Sequence, residues 1–118
     1  LLKSLLEKDP SISIPQYVLN RINGKYRDLP IVVDPEDASS IAPTCVAHYS
    51  KDLSTRLIKD KNSFYGLRPF TIREYARLQG FPDDFTFKNE KNSYKLIGNA
   101  VPVDMGRWIG RTAIKYFN

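Results

Sequence analysis

One cysteine, one histidine, one methionine and one tryptophan stand among 118 residues. With Cys45 as the only thiol, an internal disulfide is excluded. With His48 as the only imidazole, a structural zinc site built from four Cys and His ligands is excluded too. No apolar run approaches the roughly 18 residues that a membrane-spanning helix needs. The sequence opens Leu1, Leu2, Lys3, Ser4, with no initiator Met and with polar residues too early for a secretory leader, so residue 1 is expected to be a cut. Neither sign of charge dominates: 18 Lys and Arg face 13 Asp and Glu, a net of +5. A surplus of this size is compatible with phosphate binding through counterion release but does not require it. It is uneven, with nine basic against five acidic residues in 67–118 and nine against eight in 1–66.

What is present is enough for one small domain with a core of its own. Residues 1–6 read as a short helix end with Leu2, Leu5 and Leu6 on one face, broken by Lys8, Asp9, Pro10 and Ser11. Pro15 suits the first turn of a helix over 16–22, with Tyr17, Val18 and Ile22 inward and Gly24 closing it in the left-handed conformation. Short strands are expected at 29–33, 44–49, 56–58 and 63–65, with a polar loop over 34–40. Thr71 and Glu74 form a capping box, and the helix that follows stops at Gly80. Ile72, Tyr75, Ala76 and Gln79 line its inner face. The last helix starts at Pro102 and carries an apolar stripe of Val101, Met105, Trp108, Ile109, Thr112 and Tyr116. Gly106 and Gly110 share a flank of it, a placement tolerated best where another backbone comes close. The fold class that results is α+β, a small mixed domain with a few short strands and about four to five helices.

Residues able to carry chemistry are few. Cys45 has no base beside it and reads as a small buried thiol rather than a nucleophile. Asp83 and Asp84 follow a proline and read as a turn, not a metal site. Arg73 and Arg77, one helical turn apart, suit either phosphates or nearby acids. Gly98, Asn99, Ala100, Val101 and Pro102 either present amides to a polar ligand or simply lead into the last helix.

Taken together, residues 68–85 resemble the ninth motif of the DNA (cytosine-5)-methyltransferases, R-x-x-T-x-R-E-x-A-R-x-Q-G-F-P, and residues 94–103 resemble the tenth, Y-K-Q-x-G-N-A-V-P-V. Leu96 stands where Gln is usual and Tyr75 where Cys is common. Ala42, Pro43 and Thr44 are similar to the strand that closes the target recognition region, and residues 1–22 to the variable segment after the eighth motif. In that family a Rossmann-like domain binds S-adenosylmethionine and carries a catalytic Pro-Cys motif, and DNA lies between it and a small recognition domain. The target cytosine is swung out of the duplex, a thiolate adds to C6, and C5 takes the methyl group.

The resemblance implies a division at residues 1–66 (C-terminal part of the target recognition and small domain), 67–92 (ninth-motif helix and turn) and 93–118 (tenth-motif turn and a helix belonging to an absent Rossmann-like domain). It implies cofactor contact at Asn99 and Ala100 and DNA contact at Thr44. Arg68, Arg73 and Arg77, with Glu74, are implied to organise the small domain first and to touch phosphate second. No catalytic residue and no metal ligand is assigned, because the sequence lacks Pro-Cys-Gln, the Phe-x-Gly-x-Gly cofactor loop, Glu-Asn-Val and Gln-x-Arg-x-Arg. Cys45 follows Thr44 and does not replace the missing nucleophile. The recognition region, at most residues 24–66, is either minimal or trimmed. The implied partners are double-stranded DNA and an N-terminal catalytic domain or complementary subunit, with no membrane; the implied setting is the bacterial cytoplasm, at the nucleoid, in restriction-modification. Two alternatives stay open: a stand-alone DNA-binding module, and a domain that self-associates, as a homodimer, through the stripe of its last helix.

Overall fold

Thr71 and Glu74 start the element on which the rest of the chain is hung. In the computed structural model, which describes residues 2–8, 10, 12–24 and 30–117, the Thr71 hydroxyl accepts from the Glu74 amide at 3.1 Å and the Glu74 carboxylate accepts from the Thr71 amide at 2.9 Å. Two donors that a helix start leaves open are thereby satisfied. Around this helix stand α1 (Leu2–Leu5), α2 (Gln16–Ile22), β1 (Ile31–Val33), β2 (Arg56–Lys59), β3 (Leu67–Arg68), the capped helix α3 (Ile72–Leu78), α4 (Glu90–Asn99) and α5 (Val103–Phe117). Two 3-10 turns, Tyr49–Lys51 and Leu53–Thr55, precede β2.

The sheet order is β1-β2-β3. β1 runs parallel to β2, with Ile31 opposite Arg56 and Val33 opposite Ile58, and β3 runs antiparallel, with Ile58 opposite Arg68. A parallel neighbour needs a crossover of a dozen residues or more. Residues 34–55 supply it, and they bring Tyr49 beneath the sheet.

The core is aromatic. Tyr49 stacks on Tyr75 at 4.9 Å between ring centres, and Tyr94 meets both edge-on at 5.1 and 5.4 Å. Val33, Ile58, Phe70, Ala76 and Ile97 close around them. Buried hydroxyls need partners. Tyr49 donates to the Arg56 carbonyl at 2.6 Å and accepts from the Phe70 amide at 3.0 Å; Tyr94 donates to the Phe70 carbonyl at 2.6 Å. A second cluster of Ile14, Val18 and Leu57 seats α2 on the sheet.

One ion pair lies inside. Arg68, 3% exposed, donates to both oxygens of the fully buried Glu74 at 2.7 and 2.8 Å and to Asp60 at 2.6 Å. The main-chain amide of Glu7 adds a fourth hydrogen bond to the Glu74 carboxylate at 3.2 Å. Burial disfavours the Arg68 charge, but its carboxylate partners outweigh that and raise its pKa.

Several expectations need correction. Residues 44–49 form no strand: they run as an irregular segment into a turn, because their polar groups are met by side chains rather than by a neighbouring strand. Residues 63–65 are the tip of the β2–β3 loop. There Gly66 takes φ +74, the Asn62 amide donates to Asp60, and Ser63 donates to the Leu67 carbonyl at 2.6 Å. Tyr17 is exposed, its hydroxyl accepting from the Leu53 amide at 3.0 Å. Gly24 is not left-handed; α2 ends through Asn23 in the right-handed region. Helix α4 was not anticipated. Expected features at Leu1, Asp9, Ser11 and Leu29 lie outside the described residues.

Removing one partner of a buried pair strands the other charge. Glu74→Gln is expected to lower unfolding free energy by about 3–5 kcal/mol in urea titration; a loss under about 1 kcal/mol would mean that the pair is dispensable. Asp60 supplies a pH signature. Burial opposes its charge, yet Arg68 and the Asn62 amide hold its pKa below the usual 3.8. A depressed folded-state pKa gives stability that is present above the unfolded value and lost as pH falls through the folded one. Urea midpoints are expected to stay level down to about pH 4 and then drop, with Asp60→Asn making the drop shallower; an identical drop in the variant would contradict this.

Candidate functional site

Gln79, just past the end of α3, ties that helix to the turn between α4 and α5. Its Nε2 donates to the carbonyls of Ile97 at 2.9 Å and Ala100 at 3.0 Å, and its own carbonyl accepts from the Val103 amide at 2.9 Å. Carbonyls at a helix C-terminus lack intrahelical partners, and this side chain provides them. Gly80 follows at φ +83 and lets the chain leave α3 against Val103.

Gly98 makes the second junction. It belongs to the last turn of α4, whereas the sequence alone places it in the lead-in to the last helix. A Cβ on it would stand 2.3 Å from the Val46 carbonyl carbon and the Ala47 nitrogen, so only glycine lets α4 touch this backbone. The Tyr75 hydroxyl grips the same place, donating to the Val46 carbonyl at 3.1 Å and accepting from the Val46 amide. Arg56 holds the Thr44 carbonyl at 2.8 Å. Residues 44–47 are thus fixed from three sides without belonging to a sheet.

Between these junctions lies a groove of about 410 Å³, lined by Pro43, Thr44, Cys45, Gln79, Gly98 and Ala100 among others. The structure therefore brings Thr44 and Ala100 to one concavity. Asn99 is exposed beside it, and its carboxamide makes no hydrogen bond among the described residues. A free carboxamide, small side chains and open backbone suit one wall of a site for a polar ligand. Cys45 turns inward: burial pushes its thiol up to about 11, against a weak contact to the Tyr75 carbonyl at 3.8 Å. Such a thiol is neutral and unreactive at ordinary pH.

The arginines are engaged. Arg68 is 3% exposed and enclosed by Glu74 and Asp60. Arg77 forks onto Asp83 at 2.8 and 2.9 Å and reaches the Leu5 carbonyl at 3.1 Å; Asp83 in turn has its pKa lowered by Arg77. Arg73 holds the Phe85 carbonyl at 3.1 Å and lies over the Phe87 ring, half-buried where Arg68 is enclosed.

Along α5 nothing is buried. Met105, Trp108, Ile109 and Tyr116 are all exposed, Trp108 by 65%, and space within 4 Å of a Cβ at Gly106 or Gly110 is empty. No helix among the described residues is long and apolar enough to cross a membrane.

Comparison with known proteins fits this architecture. The family model described as C-5 cytosine-specific DNA methylase matches residues 8–115. The chain belongs to that family. Over 52 residues it is 50% identical to the Type II methyltransferase M.Sau96I of Staphylococcus aureus, covering 43% of this chain and 12% of that protein. Over 66 residues it is 46% identical to the Type II methyltransferase M.NgoPII of Neisseria gonorrhoeae, covering 54% of this chain and 18% of that one. The crystal structure of the S. pombe Dnmt2 methyltransferase shares the fold, with a TM-score of 0.75 and 24% identity, over 99% of this chain and 42% of its own. The chain thus spans 12% to 18% of the length of the two bacterial relatives. Its fold is the expected small α+β arrangement.

The resemblance pointed to Asn99, Ala100 and Thr44, but not to Gln79, Tyr75 and Gly98 as the parts that hold them. The only signal for these was their place on the inner face of α3 and beside the turn. The glycines offer a test. Gly98→Ala is expected to cost about 1–3 kcal/mol or more through overlap with fixed backbone. Gly106→Ala in the same chain should stabilise by up to about 1 kcal/mol. Thermal or urea unfolding checks both, and equal effects at the two glycines would contradict the close contact at Gly98.

Proposed function

We propose that this chain acts as the C-terminal part of a DNA (cytosine-5)-methyltransferase and works only when joined to the part that carries the catalytic cysteine. The observation that carries the reading is the shared groove: Thr44, for which the resemblance implies DNA contact, and Ala100, for which it implies cofactor contact, line one concavity. Asn99 and Ala100 would hold S-adenosylmethionine from one side, the carboxamide offering a donor and an acceptor. When bound, that cofactor supplies the methyl group. Thr44 would lie against the DNA backbone next to the extruded nucleotide. Arg73, and Arg77 after exchanging Asp83 for phosphate, would neutralise nearby backbone charge. The apolar side of α5 would pack on the Rossmann-like domain, and Gly106 and Gly110 would admit its close approach. Double-stranded DNA and the catalytic portion are the partners of this reading, restriction-modification in the bacterial cytoplasm its setting.

The test mixes the chain with the N-terminal portion of a family member truncated ahead of its ninth motif and follows labelled methyl transfer from S-adenosylmethionine to cytosine in DNA. Neither polypeptide alone should give transfer, and the mixture should. Transfer by the chain alone overturns the reading. So does an inactive mixture made from portions of an intact enzyme that is active under the same conditions. Stable homodimers by light scattering that persist in the presence of the catalytic portion would favour self-association instead.

A further inference from the structure

Helix α3 holds the two sides of the groove at a fixed spacing. Tyr75 and Gln79 lie four residues apart, one turn along a single face. Tyr75 grips the Val46 backbone, two residues beyond Thr44, through both its donor and its acceptor. Gln79 grips Ile97 and Ala100, the residues that bracket Asn99, and Val103 beyond them. Both hydrogens of the Gln79 carboxamide are therefore used, one on each carbonyl. Their losses would be unequal. The Ile97 carbonyl also accepts from the Ala100 amide at 3.2 Å, whereas Gln79 is the protein donor to the Ala100 carbonyl among the described residues. Take away that donor and the turn keeps its local helical bond and the main-chain bond from Val103 to Gln79, but Ala100 loses its tie to α3.

From this we infer that Gln79 is a positioning residue for the methyl donor: it sets the turn that carries Asn99 and Ala100 at the spacing from Thr44 that the bound donor requires. The inference rests on the functional reading above and goes beyond it by assigning donor affinity to a residue of the ninth motif. A site that must be ordered on binding has its affinity reduced by the fraction of time it is unformed. Loss of Gln79 should therefore appear in KM for S-adenosylmethionine, with kcat and KM for DNA close to unchanged.

Gln79→Met keeps the length of the side chain and removes both donors, so packing is retained. Two measurements decide. In the isolated chain, exchange of the Asn99, Ala100, Val101 and Val103 amides should quicken about tenfold in the variant, the factor that about 1.4 kcal/mol gives, while the amides of residues 74–76 stay as slow as before. In the mixture with the catalytic portion, KM for S-adenosylmethionine should rise about tenfold with kcat within about twofold. A merely structural role would instead slow exchange nowhere, quicken it everywhere, lower the unfolding midpoint and cut kcat with KM unmoved; that pattern overturns the inference. Unchanged exchange at 99–103 overturns it as well, whatever the kinetics. A wild-type mixture without methyl transfer overturns the functional reading and the donor half of this one, and the exchange data then still tell whether Gln79 holds the turn.

Discussion

The carboxylate of Glu74 is the point from which the rest is hung. It lies in the interior and takes hydrogen bonds from Arg68, from the Thr71 amide and from the Glu7 amide. One side chain thereby joins the N-terminal segment, the last strand of the sheet and the first turn of α3. Isolated burial of either charge would cost several kcal/mol. The two are tolerated because the pair is bidentate and further hydrogen bonds support both partners, Arg68 donating also to Asp60 and the Pro69 carbonyl. Such a pair contributes less to net stability than to register, since α3 has one place to begin. With its start fixed, Tyr75 and Gln79 reach their own targets a turn apart.

The molecule is finished on one side and unfinished on the other. Inside, the tyrosine hydroxyls, the Arg68 guanidinium and the Gln79 carboxamide all have partners. Outside, α5 shows a tryptophan, a methionine, two isoleucines and a phenylalanine, with Phe117 90% exposed. A contiguous apolar face on a helix is the usual mark of a surface that meets another polypeptide. The glycines divide along the same line: Gly98 is already in contact with backbone, while Gly106 and Gly110 face open space. The bacterial relatives are several times longer than this chain, and under the proposed function the open face has an occupant.

Legibility in the sequence followed the locality of the interaction. The α3 capping box, the bounds of α2 and the stop at Gly80 depend on residues within a few positions, and each was readable. The strand expected at 44–49 failed because its Val, Thr and Tyr content suits a strand, yet its hydrogen bonds go to Tyr75 and Arg56, far along the chain. The residues at 63–65 failed through turn chemistry: Asp60, Asn62 and Gly66 specify a tight loop, and the aromatic residues at its tip merely stand out from it. Helix α4 was missed because its polar residues hide the pattern; Ser93, Tyr94 and Ile97 are the face that is buried, and a Gly near its end read as a turn. That Arg68 is consumed inside while Arg73 is left more open depends on the packing of β3 against α3, which no local pattern shows.

The central claim is that the inner face of this chain folds it and that its outer helix waits for a catalytic domain. Amide exchange along residues 103–117, measured alone and with the catalytic portion of a family member, tests this most directly. The account predicts rapid exchange in the isolated chain and a slowing of about a hundredfold or more in the complex, the mark of at least about 2.7 kcal/mol of added protection. Strong protection of those residues in an isolated monomer, or none gained in the complex, would contradict it.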